Sequence, residues 1–356
     1  MANNNFKPFA AAAGANVMAQ ADYEALAALL TGFQSGTAQS AQLNKVWRQS
    51  SIMAAVLGQF IVDLTGQDAV DDGTTDTLLA NLKMAVQAQS AAVVGQVRNL
   101  RMSVTTASNT ATLNADEIVV GTALGGQKYL LKQFSKTINL AAAGAGGMDT
   151  GSAPVSGFVG IYAIYNPTTG ASALLATNAT AAKVPEVYAG GHMPSGYTAS
   201  ALVSVVPTNG AAQFPMLYQA DRQVDLAQVG ILGATTDGGA KWNSVGISGV
   251  APMNAKTFKG YASGANANAG AFNLGVGGDS SGIGNLTANF SANGCSLQAT
   301  GIPIVTPQTV YWYYHFSGTV SSLSFTLYGS GYTFELTSRV VYEQFDGDRF
   351  QAASIC

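Results

Sequence analysis

The sequence is poor in charge, since only 10% of its 356 residues are Asp, Glu, Lys or Arg, against roughly 25% in an average globular chain. The formal net charge is −3 and no basic run exceeds two residues. The Lys/Arg footprint of a nucleic-acid-binding protein is therefore missing, and we expect no nucleic-acid partner. With so few charges, the surface must consist mostly of Ser, Thr, Asn, Gln and Gly. Such surfaces are typical of β-rich extracellular proteins and lower the prior for a metabolic enzyme.

Residues that bind metals are equally scarce. The two cysteines, Cys295 and Cys356, form no CxxC pair, and the two histidines are His192 and His315. This set contains no zinc pattern, so we expect neither a metal nor a cofactor. The sequence leaves open whether the two cysteines form a disulfide. No apolar stretch reaches about 18 residues, so we expect no membrane insertion, and the opening residues lack the pattern of a signal peptide.

Two short segments of the sequence match catalytic motifs, but the further residues that each motif needs for catalysis are missing. Asp149-Thr150-Gly151 spells the aspartic-protease triplet, but that chemistry needs a second aspartate to share the proton. The GDSSG stretch at 278–282 is similar to the loop around a serine-protease nucleophile, which needs a His base held by an Asp. We therefore predict no catalytic residues. One alternative remains open, namely that folding brings two carboxylates together as the catalytic pair of a glycosidase.

Periodicity divides the chain into four parts. Apolar residues recur at helical spacing over residues 1–75, where Gly66 is the expected end of a long helix, and again over 76–102. From residue 103 the period becomes two, with Gly- and Asn-rich turns between short strands. We predict an α+β chain, in which two mainly antiparallel, sandwich-like β-domains at 103–226 and 227–356 follow the helical parts.

The second helical part has the spacing of a coiled coil. Apolar residues and two glutamines alternate at steps of three and four, which indicates a short oligomerising seam that Gly95 weakens. The alternative is one amphipathic helix that packs on its own domain. The predicted seam consists of Leu79, Leu82, Val86, Gln89, Val93, Gln96 and Leu100.

Several short motifs in the first ninety residues occur in the same order as in a known protein family. They are KPFA at 7–10, ANVM at 15–18, YEAL at 23–26, GFQSG at 32–36, QLNKVWRQSS at 42–51 and DDG at 71–73. Through these words the chain resembles the N-terminal region of phage tail fibre proteins. The middle region also resembles a module of such fibres, through GGMDTGS at 146–152 and IYAIYNP at 161–167. Together the two resemblances cover about two thirds of the chain.

The resemblance implies a virion component that forms homotrimers, with the N-terminus attached to the virion and host recognition further along. Assembly in the host cytoplasm and release by lysis fit the expected lack of a secretion signal. We expect residues 1–75 to dock to other tail or baseplate proteins, with Lys45, Trp47 and Arg48 in contact. Residues 1–21 have weak periodicity and are expected to order on that partner. The alternative for Trp47 is the core of a small helical bundle.

We place host recognition in the C-terminal β-domain, which would lie furthest from the virion. Alternate residues of the aromatic run at 311–316 face opposite sides of a strand, so one side is expected in the core. The other side would be a glycan-stacking platform or a subunit interface, and the Gly-rich loops would be either recognition loops or plain connections. The candidates are Trp242, Tyr261, Asn266, Asn268, Asp279, Ser280, Tyr311 and Tyr313.

The receptor in this prediction is a host surface glycan or protein. Recognition by the middle domain instead remains open, as do two other functions for the whole chain. One is a tail-associated polysaccharide depolymerase, and the other is a purely structural baseplate or collar component.

Overall fold

A computed structural model describes residues 2–88, 92–266, 272–290, 294–316 and 323–334. The described chain forms two compact units, one made of residues 1–94 and 121–129 and the other of 95–120 and 130–356. Strands make up 42% of the chain and helices 15%, and the pairing is mostly antiparallel, which confirms the predicted β-rich multidomain class. Within the described residues, no helix is both long and apolar enough to span a membrane.

The first unit contains the helices. They are α1 (Gln20–Glu24), α2 (Ala28–Thr31), α3 (Ser40–Thr65) and α4 (Asp76–Ala88). α3 ends where the sequence indicates, because Gly66 adopts a left-handed conformation and donates its N–H to the Val62 carbonyl. α4 packs beside α3, and Ile61 of α3 is buried.

The opening segment of the chain lies along α3. The Asn4 side-chain amide donates to the Ala55 carbonyl at 2.9 Å, and the Phe9 N–H donates to Ser51 Oγ at 2.8 Å. A Cβ at Gly58 would lie 2.5 Å from Asn4 Oδ1. Glycine at this point of a helix therefore gives the segment room to approach, which offsets its poor helix propensity. The opening segment thus has contacts with a helix of its own chain, in addition to those it is expected to make with a partner.

The strands of the described residues lie almost entirely in the second unit. They are β1 (Val97–Arg98), β2 (Arg101–Val104), β3 (Thr110–Gly121), β4 (Lys128–Asn139), β5 (Phe158–Tyr165), β6 (Ser172–Asn178), β7 (Ala199–Pro207), β8 (Leu217–Ala220), β9 (Gln223–Ala234), β10 (Asn243–Gly246), β11 (Ala255–Asn266), β12 (Phe272–Gly277), β13 (Leu286–Phe290), β14 (Gly294–Pro303), β15 (Thr309–Phe316) and β16 (Leu323–Phe334). One sheet has the order β14-β11-β16-β9-β8-β2-β3-β7-β5-β6, with β1 and β4 also paired to β3, and a second has the order β10-β15-β12-β13.

The predicted helix over 76–102 is wrong from residue 92 onward. Residues 89–91, and with them Gln89, lie outside the described residues, and the chain from 92 to 104 is turn and strand. Gly95 turns the chain with a φ of +86°, Val93 is exposed, and Gln96 precedes β1. Leu100, Met102 and Val104 are buried with the period of a strand. Burial in the β-unit overrides the heptad spacing, so of the described members of the seam only Leu79, Leu82 and Val86 share a helix.

The expected boundary near residue 227 falls inside β9, which pairs with β8 on one side and β16 on the other. Contacts also join the two sides of that boundary. The buried Tyr332 hydroxyl donates to the Val205 carbonyl at 2.6 Å, and the Asn254 side chain bonds the backbone of Val184 through both its oxygen and its nitrogen. Residues 130–226 and the strands after them therefore belong to one unit.

Candidate functional site

β15 directs two of its aromatic rings, Trp312 and Tyr314, toward β16 of the other sheet. Trp312 stacks on Phe325 of β16 with ring centroids 5.1 Å apart. Tyr314, which is fully buried, lies 5.3 Å from the same ring and 5.8 Å from Phe272 of β12. Burial, and secondarily the charge of Asp237, raises the pKa of the Tyr314 hydroxyl. One side of the aromatic strand is thus core, because both sheets bury rings against it.

The other side of β15 faces outward. Tyr311, Tyr313 and His315 alternate with the core residues and are half-buried. Tyr313 lies against Trp242, with ring centroids 5.4 Å apart at 49°. His315 Nδ1 lies 3.1 Å from Asp237 Oδ2. We call this surface, which consists of Trp242, Tyr311, Tyr313, His315 and Asp237 with the residues paired to them, the outer aromatic face.

Three glycines form the floor beneath Trp242. A Cβ on Gly275 or Gly277 of β12 would lie 2.9 or 3.2 Å from the indole ring, and one on Gly282 would lie 2.6 Å from its Nε1. A side chain at Gly275 or Gly282 would clash with the ring and one at Gly277 would crowd it, so the indole lies directly on backbone. The half-buried ring is consequently held in one position, as a rigid stacking surface requires.

The turn that carries Gly282 is fixed by Asp279. The Asp279 carboxylate accepts the N–H groups of Ser281 at 2.9 Å and Ile283 at 2.8 Å, and Gly278 N–H donates to the Ile283 carbonyl. Asp279 therefore holds the turn against the indole, while Ser280 is exposed at its tip. Because the Asp279 carboxylate accepts hydrogen bonds from the backbone, its role is to hold the turn next to the candidate site.

Neutral polar side chains surround the rings. In the strand register Ser244 pairs with Tyr311, Thr287 with Gly275, and Asn289 with Asn273, and residues directly opposite one another share a face. Ser244, Thr287 and Asn289 are exposed. The outer aromatic face thus combines stacking surface with uncharged hydrogen-bonding groups, a combination suited to hydroxyl-rich ligands such as glycans.

The remaining predicted receptor residues do not join this face. Tyr261 of β11 stacks on Tyr328 with centroids 4.9 Å apart. Gly264 of the same strand faces the core, where a Cβ would lie 3.0 Å from Tyr314. Tyr261 is three positions away and therefore points to the opposite face, which is the outer side of the other sheet. Asn266 ends β11, while Asn268 and the possible disulfide partner Cys356 lie outside the described residues.

The predicted docking residues lie on α3, in the first unit. Trp47 is 54% exposed and meets Phe9 edge-on at 5.7 Å, so it does not form the core of a bundle. The Lys45 ammonium lies 5.8 Å from the centroid of the Tyr23 ring. Arg48 is half-buried.

The Asp149 triplet has a structural role. Its carboxylate accepts the Tyr188 hydroxyl at 2.8 Å and the Thr150 N–H at 2.8 Å. In the described part of the chain, no three metal-binding side chains of the His, Cys, Asp or Glu type come together. The described contacts of the Asp149 carboxylate hold a tyrosine side chain and the neighbouring backbone in place.

Alkaline pH is expected to destabilise the second unit through its buried tyrosines. Burial, followed by the bond to Asp149, raises the pKa of Tyr188 to about 12, and burial raises the pKa of Tyr332 well above its usual value. In the unfolded chain these hydroxyls ionise near pH ~10, while the folded chain keeps them protonated. Stability is therefore intact below pH ~10 and falls as the pH rises toward the folded values.

A spectroscopic titration of tyrosinate checks this expectation. It should show an exposed group of tyrosines near pH ~10 and a delayed group that ionises together with loss of the fold. Replacing Asp149→Asn should lower the pKa of Tyr188 only in part, because the charge of Asp149 is lost while burial, the larger cause, remains. A single ionisation step at the ordinary value, with the fold intact, would contradict the expectation.

The sequence did not indicate the glycine floor or the Asp237–His315 pair. The sequence did contain a signal for the glycine floor, because Gly275 and Gly277 are alternate residues of one strand, and glycines inside a strand often mark a close approach. Compared with known proteins, the chain matches no family model, and no curated protein matches it significantly.

Proposed function

We propose that this protein is a structural subunit of a phage tail fibre, which attaches the virion to the host cell through the outer aromatic face. The observation that carries the proposal is Trp242, held half-exposed on a glycine floor beside Tyr313. A monomeric core has no need for a ring fixed on bare backbone at its outer surface. A binding site for sugar rings does, because a rigid aromatic surface loses little entropy when a ligand stacks on it.

The proposal includes assembly. The resemblance in residues 1–90 supports docking of the first unit to tail or baseplate proteins, and the exposed apolar residues Leu29, Leu30 and Phe33 give that unit further contact surface. We take the subunit to be a homotrimer. Three weak sites on one fibre, and several fibres per virion, would together give firm attachment to a host glycan or protein receptor.

Adsorption measurements test the proposal. The purified chain should block adsorption of the phage that encodes it. Thr287→Arg places a long charged side chain beside Trp242, since Thr287 is exposed and pairs with Gly275. This variant is expected to lose the block by at least tenfold, because the arginine covers the ring and brings a charge that a neutral ligand does not match.

Gln298→Arg is the matched control. Gln298 is exposed and pairs with Tyr261 on the outer side of the other sheet, so its block should equal that of the unmodified chain. Equal blocking by both variants would refute recognition by the outer aromatic face. Release of reducing sugar ends from host polysaccharide by the purified chain would establish the depolymerase instead.

A further inference from the structure

A row of polar side chains borders the rings of the outer aromatic face. His315 of β15 pairs with Asn273 of β12, and Asn273 pairs in turn with Asn289 of β13. Residues paired between neighbouring strands share a face, so these three side chains form one line across the sheet. Tyr313 precedes His315 by two residues, which places this line about 6.5 Å from the aromatic rings along the strands. We call His315, Asn273 and Asn289 the polar row.

Asp237 fixes the imidazole at one end of the polar row. Its two carboxylate oxygens lie 3.1 and 3.3 Å from His315 Nδ1. An ionised carboxylate only accepts hydrogen bonds, so the proton in this contact belongs to Nδ1. The other nitrogen of the neutral ring, Nε2, then carries a lone pair and can accept a hydrogen bond from a ligand.

The Asp237 carboxylate is itself held by the backbone of its turn. Gly239 N–H donates to Asp237 Oδ1 at 2.9 Å, and Gly238 N–H donates to the Tyr314 carbonyl at 3.0 Å, next to His315. The side chains of both members of the pair are about one third exposed, at 31% for Asp237 and 35% for His315. The imidazole is therefore oriented by a contact that is itself fixed, while it stays accessible from outside.

The first two members of the polar row are complementary to a pair of neighbouring hydroxyl groups. His315 Nε2 accepts a hydrogen bond, and the Asn273 side-chain amide both donates and accepts. Paired side chains start about 4.5–5.5 Å apart at Cβ, so their ends can reach neighbouring oxygens of one sugar ring. A ring stacked on Trp242 and Tyr313 would turn its edge toward the polar row. An ether or ester oxygen at that edge has no proton to donate to Nε2, and the contact would be lost.

We propose that the polar row selects glycans with two neighbouring free hydroxyl groups, a vicinal diol, and that His315 Nε2 accepts a hydrogen bond from one of them. Asp237 is a positioning residue, because it contacts His315 and acts on the ligand through it. The inference rests on the proposed function, since it names the ligand class of the same face. Stacking on Trp242 alone separates one sugar from another only weakly, whereas a site built to bond a hydroxyl rejects analogues that lack it.

Two substitutions of His315 separate ligand contact from a structural role. His315→Asn keeps a nitrogen near Asp237 but ends short of the position of Nε2, and it should lower binding of the full chain to host cells about tenfold or more. His315→Gln reaches the position of Nε2 with an amide oxygen that accepts a hydrogen bond, so it should keep most of the binding. Equal losses in the two variants, or no loss in His315→Asn, would overturn the proposal.

Trp242→Ala, measured in the same assay, distinguishes this inference from the proposed function. Loss of binding in Trp242→Ala together with normal binding in His315→Asn leaves recognition by the outer aromatic face intact and refutes selection by the polar row. Normal binding in both variants refutes the proposed function as well.

The role of Asp237 is tested in two backgrounds. Asp237→Ala should lower binding severalfold in the unmodified chain, because the imidazole loses its fixed orientation. The same substitution should have no further effect in His315→Gln, where no imidazole remains to be oriented. The same loss in both backgrounds would show that Asp237 acts through its turn and would refute the positioning role.

Periodate treatment of host cells tests the ligand itself. Periodate cleaves the carbon–carbon bond between two neighbouring free hydroxyl groups and is reduced to iodate, and the two aldehydes that form are then reduced with borohydride. Cells treated in this way should bind the unmodified chain about tenfold less or weaker still than cells treated with iodate and borohydride. Undiminished binding to the oxidised cells, as a protein receptor or a glycan without a free diol would give, overturns the proposal.

Discussion

Replacing Trp242 by alanine is expected to lower binding of the full chain to host cells by one to two orders of magnitude. Truncating a central aromatic anchor costs roughly 2 kcal/mol or more per site, about 30-fold in affinity. Loss in a multivalent fibre is larger, because each subunit carries the same weakened site. The glycine floor fixes the ring, so Gly282→Val should produce a similar loss by pushing the indole from its position.

Tyr261→Ala is the control for this experiment. Tyr261 is also an aromatic residue of the C-terminal strands, but it lies on the outer side of the other sheet, stacked on Tyr328. Binding of that variant to cells, measured by flow cytometry with labelled protein, should equal that of the unmodified chain. If Trp242→Ala binds normally and Tyr261→Ala does not, recognition belongs to the opposite sheet.

Replacing Arg222 by alanine is expected to lower the free energy of unfolding of the second unit by about 3–5 kcal/mol. The Arg222 side chain is 4% exposed, and its guanidinium lies 3.4 Å from the Glu186 carboxylate. It also donates to the Gly95 carbonyl at 3.0 Å and lies over the Phe334 ring at 5.1 Å. One side chain thus ties together four distant stretches of the chain, and its removal takes the Arg222 guanidinium away from Glu186.

Urea unfolding at a fixed protein concentration measures the effect. Glu186→Gln should cost less, because Glu186 is 19% exposed and the amide can still accept a hydrogen bond. Arg222→Met with Glu186→Leu should recover much of the loss, since apolar residues of similar volume often replace a buried ion pair without cost. A change below about 1 kcal/mol for Arg222→Ala would show that this contact does not hold the unit together.

The candidate site was only partly predictable. Alternation along a strand places Tyr311 and Tyr313 on one side and Tyr314 on the other from sequence alone, because successive side chains of a strand point to opposite faces. Which side is core depends on the sheet that packs against it, through Phe325 and Phe272. Trp242 is about seventy residues from Tyr313 in the sequence, and only the pairing of β10 with β15 brings them together.

The domain order was predictable to a similar extent. Helical spacing indicates α3 and Gly66 marks its end, because both are local properties of the chain. The seam predicted from Leu79 to Leu100 fails because heptad spacing and strand alternation compete for the same residues near 100. Burial of Leu100, Met102 and Val104 in the β-unit favours the strand. This burial comes from residues far away in the sequence, so a short stretch of sequence does not reveal it.

The sequence by itself determined what depends on composition and on neighbours within a few turns. These properties are the low charge, the change from helical to strand periodicity, the end of α3 and the two-sided pattern of the aromatic strand. Tertiary structure alone decided which distant segments meet. It joined the strands on both sides of residue 227 through β9, placed Trp242 on its glycines and left Met53, Val56 and Leu57 of α3 exposed among the described residues. The physical reason is that burial and strand pairing act between residues far apart in the chain, where no periodicity records them.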